Sequence, residues 1–289
     1  MDKIIATEIC KMNPSKMLDS DAALFKALHC NPPGWWKKLV NDPEIYIEIR
    51  KRNIIHAYYY GARIAEIDFI GQNFTAKCHK KYIYGTNCSV DGDKYESCIH
   101  LLEKELNRLK RNAKILYLKD VEGEEASEKR IQGRMRIDND DRYVDTEFEH
   151  QYKVGDNNSF IRLDLIAVDG NELKIEELKR IGDNRLRTSD MINNPPEIID
   201  QMERYIRFMS VNEAALCEYY KTLINIKTQL RLPVPAGYDP NMPLVLDPIP
   251  LLLIKNIYRY SKMSNARYER IKDIRNILEE NNIKYYILP

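Results

Sequence analysis

Hydrophobic positions in the first 118 residues follow two different spacings. Between residues 44 and 84, apolar and polar residues alternate in short runs separated by glycines, which predicts an antiparallel meander of about four strands. Residues 15–30 and 94–118 show the three- and four-residue spacing of helices, and the segment NPPGWW is expected to break the first of them. Residues 1–118 are therefore predicted to form a small N-terminal α+β domain.

The remaining residues, 119–289, show a different order of elements. A helical pattern over residues 124–138 precedes three strand patterns, at 146–154, 159–168 and 172–180. A long helix is predicted to begin after Pro195-Pro196, followed by a buried strand, another helix and a last short strand. This order predicts an α+β or α/β second domain with a mixed sheet flanked by helices.

Composition and charge narrow the class of protein. The chain has 45 basic and 44 acidic residues and a net charge of +1, so a nucleic-acid partner would have to be held by a local basic patch. Six cysteines without a C-x-x-C pair favour free thiols in a reducing compartment, and zinc or iron–sulfur sites are not expected. The N-terminal segment has no uninterrupted apolar core and no apolar run reaches about 20 residues, so we expect a cytoplasmic protein without a membrane partner.

The stretch RLDLIAVDGNELKIEELKR, residues 162–180, is predicted to be a hairpin whose apolar face continues into charged residues. Glu177 and Lys179 share a strand face with the apolar positions before them. With Gly170-Asn171 as the turn, Asp164 lies directly opposite Glu177. With Asp169-Gly170 as the turn, Glu177 is the diagonal neighbour of Asp164. A three-residue loop would instead place Asp164 on the same face as Glu176.

In the first two registers, Asp164 and Glu177 lie within roughly 5 to 8 Å of each other, close enough to hold one divalent cation. Lys179 follows roughly 7 Å along the same face. Buried charges need partners or a metal, and Mg²⁺ or Mn²⁺ would meet that need. Two carboxylates and an ammonium group therefore predict a phosphodiester-cleaving site, with a solvated salt bridge as the alternative.

The pattern Asp164-x12-Glu177-Leu178-Lys179, set on two strands between helices, resembles the PD-(D/E)XK nuclease superfamily, which has the restriction-endonuclease-like fold. Leu163 stands where many members have proline. Gln201 and Tyr205 match the Q-x-x-x-Y helix motif of the branch that includes the RecB nuclease domain. The resemblance covers about residues 122–289 and leaves the first 118 residues unexplained.

The resemblance implies a role for each matching residue. Asp164 and Glu177 would bind the metal, and Lys179 would assist the attacking water. The family often adds an acidic ligand from the preceding helix, where Glu128 fits best, with Glu124 and Glu125 as rivals. Gln201 would orient the site and Tyr205 would pack near the substrate.

The basic cluster after the hairpin is expected to contact the phosphate backbone, through Arg180, Arg185 and Arg187. The function predicted is a Mg²⁺- or Mn²⁺-dependent nuclease, with DNA favoured as substrate. The main alternative is a catalytically inactive module that binds nucleic acid or protein, and a purely structural ion network is a third. The sequence leaves open whether the chain forms a homodimer.

Overall fold

The computed structural model describes residues 11–85, 88, 92–117, 127–154, 157–188, 194–258 and 263–289. The chain is a mixed α+β protein with a five-stranded and a six-stranded sheet. It divides into two compact units, each built from separate stretches of sequence. We call them the meander unit, with Ser15–Asp145 and Tyr219–Ala236, and the hairpin unit, with Thr146–Glu218, Gly237–Pro289 and the residues before Ser15.

The sheet of the meander unit is antiparallel, and its strands follow one another in chain order. The strands are β1 (Ile45–Arg50), β2 (Ile54–Tyr59), β3 (Ala62–Ile70), β4 (Asn73–His79) and β5 (Tyr95–Ser97). The alternation of apolar and polar residues predicted the first four. The predicted antiparallel meander is therefore confirmed, with β5 as an added strand.

Six helices of the meander unit are described in full. They are α1 (Ala23–Cys30), α2 (Gly34–Val40), α3 (Lys80–Tyr84), α4 (Ile99–Lys104), α5 (Leu106–Tyr117) and α6 (Glu128–Asp138). The predicted helical regions at 15–30, 94–118 and 124–138 all contain helix. The region 94–118 is interrupted in the structure, since β5 and a break at Glu105 fall within it, and residues 118 and 124–126 lie outside the described part of the chain.

One local prediction in this unit was wrong. Residues 80–84 were read as the end of a strand, but they form α3, whose N-terminus is capped by the His79 ring accepting a hydrogen bond from the Lys81 amide. Tyr82 and Ile83 are both buried, which a one-sided strand would not allow. The segment NPPGWW ends α1 at Cys30, as predicted, and a separate helix, α2, begins after Pro33, since a proline suits a helix start.

The hairpin unit contains the second sheet, with strand order β11-β10-β8-β7-β6 and β9 paired to β8. Its strands are β6 (Tyr143–Val154), β7 (Asn157–Asp169), β8 (Glu172–Arg180), β9 (Val245–Leu246), β10 (Leu251–Lys255) and β11 (Tyr285–Leu288). The β7–β8 pair is antiparallel, whereas β10 runs parallel to both β8 and β11, so the sheet is mixed as predicted. Strand β9 was not predicted.

Two long helices complete the hairpin-unit sequence, α7 (Glu197–Gln229) and α8 (Asn265–Glu280). Helix α7 begins directly after Pro195-Pro196, as expected from the preference of proline for helix starts. Its last residues, and the first residues of β6, belong to the meander unit. No helix in the described part of the chain is long and apolar enough to cross a membrane.

The compact units do not follow the predicted boundary between residues 118 and 119. The meander unit extends to Asp145 and takes in α6 because Gly133 of that helix lies directly against the backbone of Gly61. It also includes Tyr219–Ala236, where Lys227 pairs with Glu48 of β1. Close backbone packing and a buried ion pair thus determine which segments belong to the meander unit. Neither can be recognised from the local amino-acid composition.

Candidate active site

The turn of the β7–β8 hairpin has two central residues, Gly170 and Asn171. Asp169 pairs with Glu172 across the strands, and Gly170 has φ +61°, the left-handed conformation that the first position of a type II′ turn requires. The Asn171 side chain holds the turn by donating to the Asp239 carbonyl at 2.9 Å. Of the three registers left open by the sequence, this one places Asp164 and Glu177 opposite each other.

The backbone pairing of β7 with β8 ends one residue before Asp164 and Glu177. The last paired residues are Leu165 and Glu176. Beyond them, Oδ2 of Asp164 accepts a hydrogen bond from the Leu178 amide at 3.1 Å. A carboxylate therefore takes the place of a backbone carbonyl of β7, and the Asp164 side chain is fixed against β8.

The Lys179 ammonium group lies among three oxygen atoms. It contacts Oε1 of Glu177 directly, donates to the Leu178 carbonyl at 3.1 Å, and lies 3.9 Å from Oδ2 of Asp164. Glu177 and Lys179 are each only 1% exposed. Since an isolated buried charge costs several kcal/mol, these side chains depend on one another for electrostatic compensation.

Helix α7 adds two uncharged donors to the same carboxylate. Nε2 of Gln201 donates to Oε1 of Glu177 at 2.6 Å and to the Tyr205 hydroxyl at 2.9 Å. That hydroxyl lies 2.7 Å from Oε2 of Glu177 and also contacts the Arg162 carbonyl. Burial, with the Glu177 and Asp164 carboxylates, raises the pKa of Tyr205, so the phenol remains a protonated donor.

Gln201 and Tyr205 reach the strand because they are four residues apart on α7, on one side of the helix. Neighbouring positions of this side are buried, namely Ile198, Met202 and Met209. Ile206, four residues after Met202, is 45% exposed, whereas Phe208 is buried. The helical spacing of Gln201 and Tyr205 thus brings both side chains to the same strand.

Comparison of the chain with protein-family models, with curated proteins and with solved structures finds no match. The chemistry of the cluster is therefore argued from its own atoms. Five of the predicted residues meet in it, namely Asp164, Glu177, Lys179, Gln201 and Tyr205.

The oxygen atoms of this cluster fit a hard divalent cation. Asp164, Glu177 and the Leu178 carbonyl supply oxygen, the ligand type that Mg²⁺ prefers, and the Lys179 ammonium already lies between them. Among the described residues, no group of three or more acidic, histidine or cysteine side chains is placed to hold a metal. A cation here would therefore be completed by the carbonyl and by water, as is usual for Mg²⁺.

Glu128, the predicted additional ligand, does not belong to the hairpin unit. It is the first residue of α6, after the Ser127 N-cap, in the meander unit. Its rivals Glu124 and Glu125 lie outside the described residues. The cluster described above is thus formed by hairpin-unit residues alone.

The predicted phosphate-contacting arginines are engaged in local interactions. Arg185 forms an ion pair with Asp183 at 2.5 Å, and Arg187 forms one with Asp273 at 3.0 Å. Although burial opposes ionisation of Asp183, hydrogen bonds from Arg185 lower the pKa of that carboxyl group. Arg180 is half-buried at the end of β8. Two aspartates therefore reduce the positive charge that this segment presents.

Sequence reasoning missed one buried carboxylate next to the site. Glu176 lies on the face of β8 opposite Glu177 and Lys179, and its side chain is fully buried. Both faces of β8 are covered, since Ile175, Glu177 and Lys179 are buried on one face and Glu176 and Leu178 on the other. Apolar residues on both faces of the strand, Ile175 and Leu178, are the sequence feature that could have predicted a strand buried on both sides.

Proposed function

We propose that the chain is a Mg²⁺- or Mn²⁺-dependent nuclease that hydrolyses phosphodiester bonds, with DNA as the favoured substrate. The supporting observation is that Asp164, Glu177 and Lys179 converge at the end of the β7–β8 ladder, two of them almost fully buried. The PD-(D/E)XK resemblance selected the same residues from sequence. In this proposal the hairpin unit has the restriction-endonuclease-like fold.

Asp164 and Glu177, with the Leu178 carbonyl, would hold the cation. A bound divalent cation lowers the pKa of water and stabilises negative charge on a phosphate. Lys179 is placed beside both carboxylates, so its ammonium group can donate to the attacking water or to a phosphate oxygen. The lysine thus supplies positive charge where charge develops during hydrolysis.

Gln201 and Tyr205 act as positioning residues. Their donors occupy both oxygens of Glu177, which fixes the carboxylate relative to Lys179. A ligand carboxylate is effective only when its orientation is held by such partners. We therefore assign to α7 the task of keeping Glu177 in register with Asp164.

One observation favours the alternative, a module that binds nucleic acid or protein without cutting. Both oxygens of Glu177 already accept hydrogen bonds from Lys179, Gln201 and Tyr205. A fully satisfied network can serve as a stable core without any cation. Metal binding therefore separates the two functions more directly than nucleic-acid binding does.

The test of the proposed function is cleavage of plasmid and single-stranded DNA by the full chain with Mg²⁺ or Mn²⁺, and with EDTA. Asp164→Asn and Lys179→Met are expected to reduce the cleavage rate by at least about 100-fold, because each removes a charge that acts on the reacting phosphate. Mn²⁺ titration calorimetry should show a saturable site that Asp164→Asn abolishes.

The same hairpin offers a matched control pair. Asp169 and Lys174 form an ion pair at 2.8 Å across β7 and β8, with side chains 41% and 26% exposed. Asp169→Asn and Lys174→Met should cleave at the wild-type rate. Cleavage that survives loss of Asp164 or Lys179 would contradict the proposal, as would DNA binding without any saturable metal site.

A further inference from the structure

Strand β7 carries a row of side chains that leads from solvent to the proposed nuclease site. Phe160, Arg162 and Asp164 are alternate residues of the strand, so they point to the same face of the sheet. The residues between them, Ile161 and Leu163, are buried on the other face. Successive members of the row are about 6.6 Å apart along the strand. This spacing is close to that of phosphates in an extended single-stranded nucleic acid.

Phe160 is the outermost member of the row. The chain has six phenylalanines, all within the described residues, and Phe160 is the most exposed of them, at 51%. A single exposed apolar side chain is common on protein surfaces and indicates no function by itself. In line with a phosphate-cleaving site, however, an exposed aromatic ring offers a flat apolar surface on which an unpaired base can stack.

Arg162 lies between the phenylalanine and the carboxylate. Its side chain is 57% exposed, and its Nη2 donates to Oε1 of Glu149 at 3.3 Å, where the glutamate side chain is 47% exposed. Solvated ion pairs of this kind contribute little to stability, so a phosphate can take the place of Glu149. The Tyr205 hydroxyl contacts the carbonyl of Arg162, which fixes the backbone while the guanidinium stays accessible.

Helix α7 covers one end of the row and leaves the other end open. Tyr205 donates to Glu177, so the helix lies over the face of the sheet on which Glu177 and Asp164 meet. The Asp164 side chain is 16% exposed, whereas Arg162 and Phe160 are more than half exposed. A nucleic-acid strand lying along the row would therefore pass from open surface into the half-enclosed site.

We propose that Phe160 and Arg162 form a substrate subsite for single-stranded nucleic acid, in which an unpaired base stacks on Phe160 and the adjoining phosphate binds Arg162. The next phosphate along the strand then lies at Asp164 and Lys179. This inference rests on the proposed nuclease function and adds a substrate class to it. That class is a strand with unpaired bases rather than an intact duplex, because a base inside a duplex has no free face for the ring.

Binding of fluorescent DNA oligonucleotides to the full chain in EDTA, followed by anisotropy, tests the subsite without cleavage. A single strand should bind at least about five-fold more tightly than the same sequence in a duplex. A strand with the same phosphates on abasic sugars should also bind at least about five-fold more weakly, because base stacking is lost. Equal affinity for the three probes would overturn the proposal, and this comparison needs only the wild-type chain.

Variants of Phe160 identify the ring as the stacking surface. Phe160→Leu keeps an apolar side chain without the ring, so it should lower the affinity for the normal strand at least about five-fold and leave that for the abasic strand unchanged. Phe160→Tyr should bind like wild type. Tyr286→Leu is the matched control, since Tyr286 is a 57% exposed aromatic residue at the β11 edge of the same sheet. Unchanged affinity in Phe160→Leu would contradict the stacking role.

The two members of the Arg162–Glu149 pair should have opposite effects on binding. Arg162→Met should weaken binding and lower the slope of log affinity against log salt concentration by about 0.7, the value for one single-strand phosphate contact. Glu149→Gln should strengthen binding, because it removes a competitor for the guanidinium. Lys284→Met is the control, as it removes an exposed, ion-paired lysine elsewhere in the hairpin unit and should leave the slope unchanged. Weaker binding in both Arg162→Met and Glu149→Gln would mean that the pair serves structure alone.

Cleavage assays separate this subsite from the proposed function. Strand binding that depends on Phe160 and Arg162, without any metal-dependent cleavage, would support the subsite and refute the nuclease. Equal cleavage of duplex and single strand, with Phe160→Leu as active as wild type, would refute the subsite and retain the nuclease.

Discussion

Glu177 shows which properties of the site were readable from single residues. Because Glu177 stands two residues before Lys179 on β8, strand alternation predicted that it shares a face with the lysine, and the structure joins the two side chains. What the sequence could not provide is the number of its partners. Gln201 and Tyr205 are 24 and 28 residues away, and only tertiary packing brings both donors to one carboxylate.

The Tyr205 hydroxyl leads to a prediction about stability at this scale. It is buried between the Glu177 carboxylate and the Arg162 carbonyl. Tyr205→Phe keeps the ring but leaves these acceptors short of a donor, so the free energy of unfolding should fall by about 1–3 kcal/mol. Urea denaturation of wild type and variant would measure the difference.

Tyr286→Phe is the matched control, because Tyr286 is 57% exposed and its hydroxyl can be replaced by water. This variant should unfold with the wild-type free energy. If Tyr205→Phe also showed no loss, the hydroxyl would not be a structural member of the Glu177 network.

At the scale of elements, the hairpin was the most predictable part of the chain. Alternating apolar residues gave both strands, and β8 spans the predicted residues 172–180. The pairing register of β7 and β8 depends on the left-handed φ of Gly170, which the sequence permits but does not require. Short elements such as α3 and β9 were harder, because tertiary burial rather than periodicity decides their conformation.

Contact between α6 and the β2–β3 turn allows a prediction for a whole element. A Cβ atom on Gly133 would lie 2.4 Å from the amide nitrogen of Gly61 and 2.5 Å from the carbonyl carbon of Tyr60. Both are backbone atoms that cannot rotate away, so α6 would have to shift. Gly133→Ala should lower the free energy of unfolding by about 1–3 kcal/mol, as overpacked substitutions do.

Gly34→Ala provides the opposite case in another helix. No atom lies within 4 Å of the position of its added Cβ, so the helix preference of alanine, up to about 1 kcal/mol, can act without a clash. Chemical denaturation should show Gly34→Ala to be neutral or stabilising. Equal behaviour of the two variants would mean that α6 does not pack closely on Gly61.

At the scale of the whole molecule, each compact unit is assembled from distant parts of the chain. The meander unit uses Ser15–Asp145 and then Tyr219–Ala236. A change of composition near residue 118 suggested a boundary there, but composition cannot show that the chain returns a hundred residues later. The buried pair of Glu48 and Lys227, 179 residues apart, is the physical reason for the return.

This organisation predicts that the chain cannot be divided at residue 118. A fragment of residues 1–118 retains Glu48, which is fully buried, but lacks both of its cationic partners, Arg136 and Lys227. A buried carboxylate that loses its partners is destabilising by about 3–5 kcal/mol. The fragment also loses the packing of α6 on Gly61. It should therefore give a poorly dispersed amide spectrum by NMR, without a cooperative thermal transition.

Co-expression of residues 1–118 with residues 119–289 is the control, because it restores every partner without restoring the peptide bond. The two pieces should associate and recover the amide dispersion of the full chain. A cooperative, well-dispersed fragment 1–118 on its own would show that α6 and Tyr219–Ala236 are dispensable to the meander unit. The charge argument makes a further distinction: Glu48→Gln in the isolated fragment removes the buried charge, so it should restore part of the lost stability.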